Sequence, residues 1–159
     1  MKIKTIIIGV IILLVIYVVV VILSSFLKKD EKINKLNSLR FTYSTGYHIN
    51  AYVIYEISLV EGKYIASIKP TDLHDEDKKE YELSKEEVNT VIKKLNEYKI
   101  ISWNGFRKTD KYVLDGNSFS MYIIYDGDKT ISASGYMMWP NNYRNVRDYL
   151  DEKLGGLYK

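Results

Sequence analysis

From Thr5 to Leu27 the chain reads TIIIGVIILLVIYVVVVILSSFL without one charged residue. A helix of about 23 residues, rising roughly 1.5 Å per residue, is about 34 Å long and would cross a hydrocarbon core of roughly 30 Å. No face of the run is polar, so it lacks the stripe of an amphipathic core helix. The alternative is a cleaved export signal, and Met1-Lys2-Ile3-Lys4 supplies a basic start for one. Such a signal has an apolar part of only about 7–15 residues and a small-x-small cleavage site. Ser24-Ser25-Phe26 is a poor cleavage site, and the absence of Cys excludes lipoprotein processing. The expectation is therefore a single N-terminal transmembrane helix, residues 1–27, anchoring the rest to a lipid bilayer.

Orientation has arguments on both sides. Lys2 and Lys4 precede the run, while Lys28, Lys29, Lys32 and Lys35 follow it. Counting basic residues alone puts the domain in the cytoplasm. A short basic tail before an apolar run resembles an export signal, and long domains cross largely regardless of charge. The reading adopted is a single-pass protein of the cell membrane with an extracytoplasmic domain.

Residues 28–39, KKDEKINKLNSL, space Ile33, Leu36 and Leu39 by three, which predicts a juxtamembrane helical stalk. Residues 40–159 are enough for one hydrophobic core and too few for two domains. Val53, Tyr55, Ile57 and Leu59 alternate along a strand, Glu61-Gly62 turns it, and Tyr64, Ala66 and Ile68 return opposite Leu59, Ile57 and Tyr55. Thr71 to Glu80 reads as a charged loop. It lacks the ligand spacing and central Gly of a calcium loop. Ser84 and Glu87 form an S-x-x-E capping box before the stripe Val88, Val91, Ile92, Leu95. Phe119, Met121 and Ile123 mark a further strand. A three-residue loop from Tyr125 to Gly127 would set Met121 opposite Ile131. Asn141 is the expected cap of a last helix striped by Tyr143, Val146, Leu150 and Leu154. The fold class is α+β: the transmembrane helix, then a mainly antiparallel sheet with two packed helices.

The chemistry is sparse. There is no Cys, only His48 and His74, no nucleophile elbow and no glycine-rich phosphate loop. The reading assigns no catalytic residue, no cofactor and no metal. The net charge of +3 forms no basic stripe beyond the juxtamembrane lysines, so nucleic acid is not an expected partner.

The distinctive residues are Trp103-Asn104-Gly105-Phe106, Leu114-Asp115-Gly116, Ser118-Phe119-Ser120, and Gly135 through Pro140 to Tyr143. This pattern resembles an uncharacterised small α+β domain of membrane- or lipid-anchored proteins in Gram-positive bacteria. The resemblance covers about Phe41 to Leu154, with its specific residues between Trp103 and Tyr143. It departs at Met137, where the pattern has Asn, and at Phe119, where Trp is commoner. It implies location and fold and names no reaction.

Two readings of these residues compete. In one, Trp103 and Phe106 only cap the core and Asp115-Gly116 only fixes a turn. In the other, Trp103, Asn104, Tyr136, Trp139 and Tyr143 form a binding patch for an unknown protein or glycan partner. The expected function is a membrane-tethered, non-catalytic interaction or accessory module. The alternatives are a membrane-complex subunit or immunity-type inhibitor acting through its anchor helix, and a carboxylate-dependent enzyme.

Overall fold

The computed structural model describes residues 13–19, 31–44, 52–70 and 78–158. The chain divides into two compact units, Met1–Glu31 and Lys32–Lys159. In the first, residues 13–19 are helical with exposed side chains. No helix among the described residues is long and apolar enough to cross a membrane. The expected transmembrane helix is thus contradicted, and with it the single-pass topology and the membrane localisation. The remainder of the Thr5–Leu27 run lies outside the described residues, as do His48, His74 and residues 71–77.

The second unit is α+β. Its strands are β1 (Leu36–Ser44), β2 (Tyr52–Val60), β3 (Lys63–Pro70), β4 (Lys79–Leu83), β5 (Arg107–Thr109), β6 (Ser118–Tyr125) and β7 (Lys129–Tyr136). Helix α1 (Lys85–Glu97) lies between β4 and β5, and α2 (Tyr143–Lys153) follows β7. One sheet runs β4-β3-β2-β1-β6-β7-β5, and its single parallel pair is β5 with β7. Phe41, Tyr55, Ile57, Met121 and Ile123 share a buried core with Val88, Val91 and Leu95 of α1 and Val146 and Leu150 of α2. The opposite sheet face is mixed: Arg40 is bridged to Glu56 at 3.0 Å, and its other cross-strand neighbour, Tyr122, is 46% exposed.

The helical stalk is corrected. Leu36 begins a strand, and Ile33 is 2% exposed. Its N–H donates to Asn96 Oδ1 at 2.9 Å, and Asn96 Nδ2 donates to its carbonyl at 2.8 Å. A spacing of three is wrong for a regular strand, where alternate residues share a face. The pairing of β1 with β6 shifts register between Leu36 and Ser38, and that irregularity lets Leu36 and Leu39 both reach the core.

The first hairpin has the expected register, Leu59 with Tyr64 and Ile57 with Ala66. Glu61 and Gly62 take φ of 50° and 84°, the two positive values of a type I′ turn. The second hairpin differs. Met121 opposes Ala133, and the loop is Asp126 to Asp128. Tyr125 is core, so the strand keeps it. The Asp126 carboxylate accepts from the backbone N–H groups of Asn34 at 3.0 Å and Lys35 at 2.7 Å, which holds the loop one residue further on. The charged 71–80 segment was expected to be loop throughout, yet its end enters edge strand β4.

Helix α1 has the capping box: Ser84 Oγ accepts from the Glu87 N–H at 3.2 Å, and Glu87 Oε2 accepts from the Ser84 N–H at 3.0 Å. Helix α2 is fastened to the sheet by Asp151, whose Oδ1 accepts from the hydroxyls of Tyr43 at 3.0 Å and Tyr55 at 2.7 Å. Lys153 reaches Glu87 at 3.0 Å and links the two helices.

Candidate binding cleft

An aromatic cluster underlies the candidate site. Phe119, pointing from β6 into the core, lies between 4.9 and 6.2 Å, ring to ring, from Tyr143, Trp139, Trp103 and Phe106. These residues reach it from four separate segments: the start of α2, the turn after β7, the 3-10 turn Ile100–Trp103, and the lead into β5. Steric need explains two glycines of the pattern. A Cβ on Gly135 would collide with the Met138 carbonyl and with the Phe119 ring. A Cβ on Gly116 would collide with the Met137 side chain. The turn after β7 can fold down over Phe119 because position 135 lacks a side chain.

The five expected patch residues have different fates. Trp103 is 1% exposed, and its Nε1–H donates to the Asn141 carbonyl at 2.9 Å. It is core, which corrects its place in a binding patch. Asn104 is exposed, and its Oδ1 accepts from the Ser132 N–H at 3.1 Å, tying the turn to β7. The Tyr136 hydroxyl donates to the Leu114 carbonyl at 2.8 Å and pins the 110–117 loop. Neither residue lines the cleft. Trp139 and Tyr143 do come together, stacked at 4.5 Å with an angle of 24° between the rings. Tyr143 is buried, and that burial pushes its hydroxyl pKa up. Trp139 remains 37% exposed.

Trp139 stands in the wall of an open cleft of about 480 Å³. The end of β1, the start of β6 and the first turns of α2 enclose it. The lining also includes Asn117, Asn142, Asn145, Arg144 and Arg147. The N-cap of helix α2 is Asn142, not Asn141 as expected. Asn142 has φ of 63°, makes no side-chain cap bond, and donates through Nδ2 to the Tyr98 carbonyl at 3.3 Å. Asn is among the few residues that tolerate this left-handed conformation, which turns the chain sharply out of the aromatic turn.

The two arginines differ. Arg147 is held by Asp148, Nη2 to Oδ1 at 2.6 Å, and that hydrogen bond raises its pKa. Arg144 makes no ion pair or side-chain hydrogen bond among the described residues, and it is exposed. Below the cleft, burial and the Asp151 carboxylate push the Tyr43 hydroxyl up to about 12. Among the described residues no cluster of three His, Cys, Asp or Glu side chains is placed to hold a metal ion.

Asn117, Arg144, Asn145 and Arg147 were missed by sequence reasoning. On a helix, polar residues beside an apolar stripe read as a solvated face. Arg144 and Arg147 carry the three-residue spacing that puts both on one side of α2, but only the packing of Trp139 against Tyr143 makes that side a cleft wall. No protein-family model matches the chain, and no curated protein matches it in sequence.

Proposed function

We propose that the domain is a non-catalytic binding module that receives a saccharide in the cleft beside Trp139. One observation carries the reading: the Trp139 ring is fixed in orientation by its stack on Tyr143, yet the residue stays 37% exposed in the cleft wall. Leaving so large an apolar surface in water costs free energy unless something covers it. A sugar offers a flat face of C–H bonds to an aromatic ring and hydroxyls around its rim. Asn117 and Asn145 line the same cleft, and an amide side chain carries both donors and acceptors. A few polar groups around a hydrophobic platform are the usual composition of a small-ligand site. The test is an array of immobilised oligosaccharides probed with the wild-type chain and with Trp139→Ala. Retention of particular saccharides by the wild type and its loss in the variant is expected, with both proteins folded by circular dichroism. Equal retention by both, or none by either, would overturn the reading.

A second reading, docking of a partner protein, draws on a separate feature. Tyr112 and Leu114 are 97% and 93% exposed in the 110–117 loop. Protein interfaces bury side chains of this kind in their centres. If that reading holds, the double change Tyr112→Ser and Leu114→Ser abolishes cross-linking to the partner and leaves saccharide retention untouched.

A further inference from the structure

We infer that the cleft selects saccharides bearing an anionic group, a carboxylate or a phosphate, and that Arg144 reads the charge. This rests on the saccharide reading and adds the ligand's electrostatic class. The cleft lining holds two guanidinium groups and no acidic side chain. Arg147 is already engaged by Asp148, and Asp151 stands 4.0 Å from its Nε, so most of its charge is compensated inside the fold. Arg144 has no such partner among the described residues and lies on the first turn of α2, directly after the Tyr143 ring that supports Trp139.

The arrangement separates two tasks. Trp139 meets the apolar face of a sugar ring. The Arg144 fork lies in the same lining, placed to meet an anion carried on that sugar. A guanidinium presents paired N–H donors that match the two oxygens of a carboxylate or a phosphate, and such charge-assisted bonds are about twice as strong as neutral ones. A neutral sugar leaves the guanidinium solvated and gains nothing from it. A cationic sugar is repelled by Arg144.

Isothermal titration of the full chain with three oligosaccharides of equal length tests this: a neutral one, its uronic-acid counterpart and its phosphorylated counterpart. The wild type is expected to bind at least one acidic probe roughly tenfold more tightly than the neutral probe, the discrimination that one charge-assisted contact provides. Comparing the two acidic probes identifies which source of charge is preferred. Arg144→Gln is expected to bring the ratio of acidic to neutral affinity close to one. Arg144 is exposed, so its replacement should not unfold the domain. High salt should narrow the wild-type ratio through screening. Neutral and acidic probes binding equally, or a ratio unchanged by Arg144→Gln, would overturn the charge selection while leaving the saccharide reading intact. Binding of no probe of any kind would overturn both.

Discussion

The indole N–H of Trp103 donates to the main-chain carbonyl of Asn141 at 2.9 Å. A fully buried ring thus holds the backbone just beyond Trp139, on the turn that presents it to the cleft. The two tryptophans have opposite roles, one supporting the site and the other forming its surface. Trp103→Ala is expected to cost about 3–5 kcal/mol, as other buried aromatic truncations do. Trp139→Ala loses stacking on Tyr143 and a ring contact with Phe119, but the residue is 37% exposed to begin with, so a smaller cost of about 2–3 kcal/mol is expected. Chemical denaturation of the two variants measures both. Equal losses would mean that Trp139 is core and would remove the best argument for a binding surface.

Gly135→Ala forces a methyl group against the Met138 carbonyl and the Phe119 ring. Overpacking of this kind typically costs about 1–3 kcal/mol. Gly156→Ala is the control, because its added Cβ meets nothing within 4 Å. The denaturation midpoint should fall clearly for the first and hardly for the second. Matching midpoints would show that the turn after β7 relaxes away from Phe119 at little cost.

The Tyr43 hydroxyl, raised from 10.0 to about 12 by burial and by the Asp151 carboxylate, makes stability depend on alkaline pH. In the folded state the proton is held more tightly than in the unfolded chain. The contribution is therefore complete below about pH 10 and is lost as pH rises through about 12. Burial shifts Tyr55 upward too, so the loss should be steep. Tyr43→Phe removes one of these groups and should flatten the alkaline limb of the stability profile. A profile identical to the wild type over that range would refute the coupling.

Glu87 shows the opposite sign at low pH. Hydrogen bonds from the Ser84 backbone, Lys153 and the Ser84 hydroxyl lower its carboxyl from 4.5 to about 2. Its contribution is present above about pH 4.5 and lost as pH falls towards 2. The site is exposed, so the effect is modest. Ser84→Ala removes the cap and is expected to cost about 1 kcal/mol at neutral pH. A negligible change in thermal stability for that variant would count against the cap.

Local signals predicted the elements they govern directly. The Glu61-Gly62 turn and the alternation through Val53 to Leu59 sufficed for the first hairpin, and Ser84 with Glu87 for the start of α1. Non-local contacts decided the rest. The second hairpin shifted because Asp126 bonds to Asn34 and Lys35, more than ninety positions earlier in the chain. Ile33, Leu36 and Leu39 gave a helical spacing because a strand irregularity hides its period. Met137 takes a φ of 53°, a left-handed conformation that Asn adopts more readily than Met and that nothing in the local sequence signals. For the candidate site, the aromatic residues were legible because large rings stand out in sequence. The cleft was not, because its walls come from β1, β6 and α2 and its charged groups look like ordinary helix surface.

The two tryptophans allow a direct measurement of the central claim, since the chain contains no others. A nitrogen-15 spectrum of the full chain should show two indole N–H resonances, assigned with Trp139→Phe. On titration with the oligosaccharides retained on the array, the Trp139 resonance is expected to move in a saturable way. The Trp103 resonance, locked by its hydrogen bond to Asn141, should move much less. A saturable shift of Trp103 with Trp139 unmoved, or no shift of either at concentrations that saturate binding, would contradict a cleft that binds its ligand on Trp139.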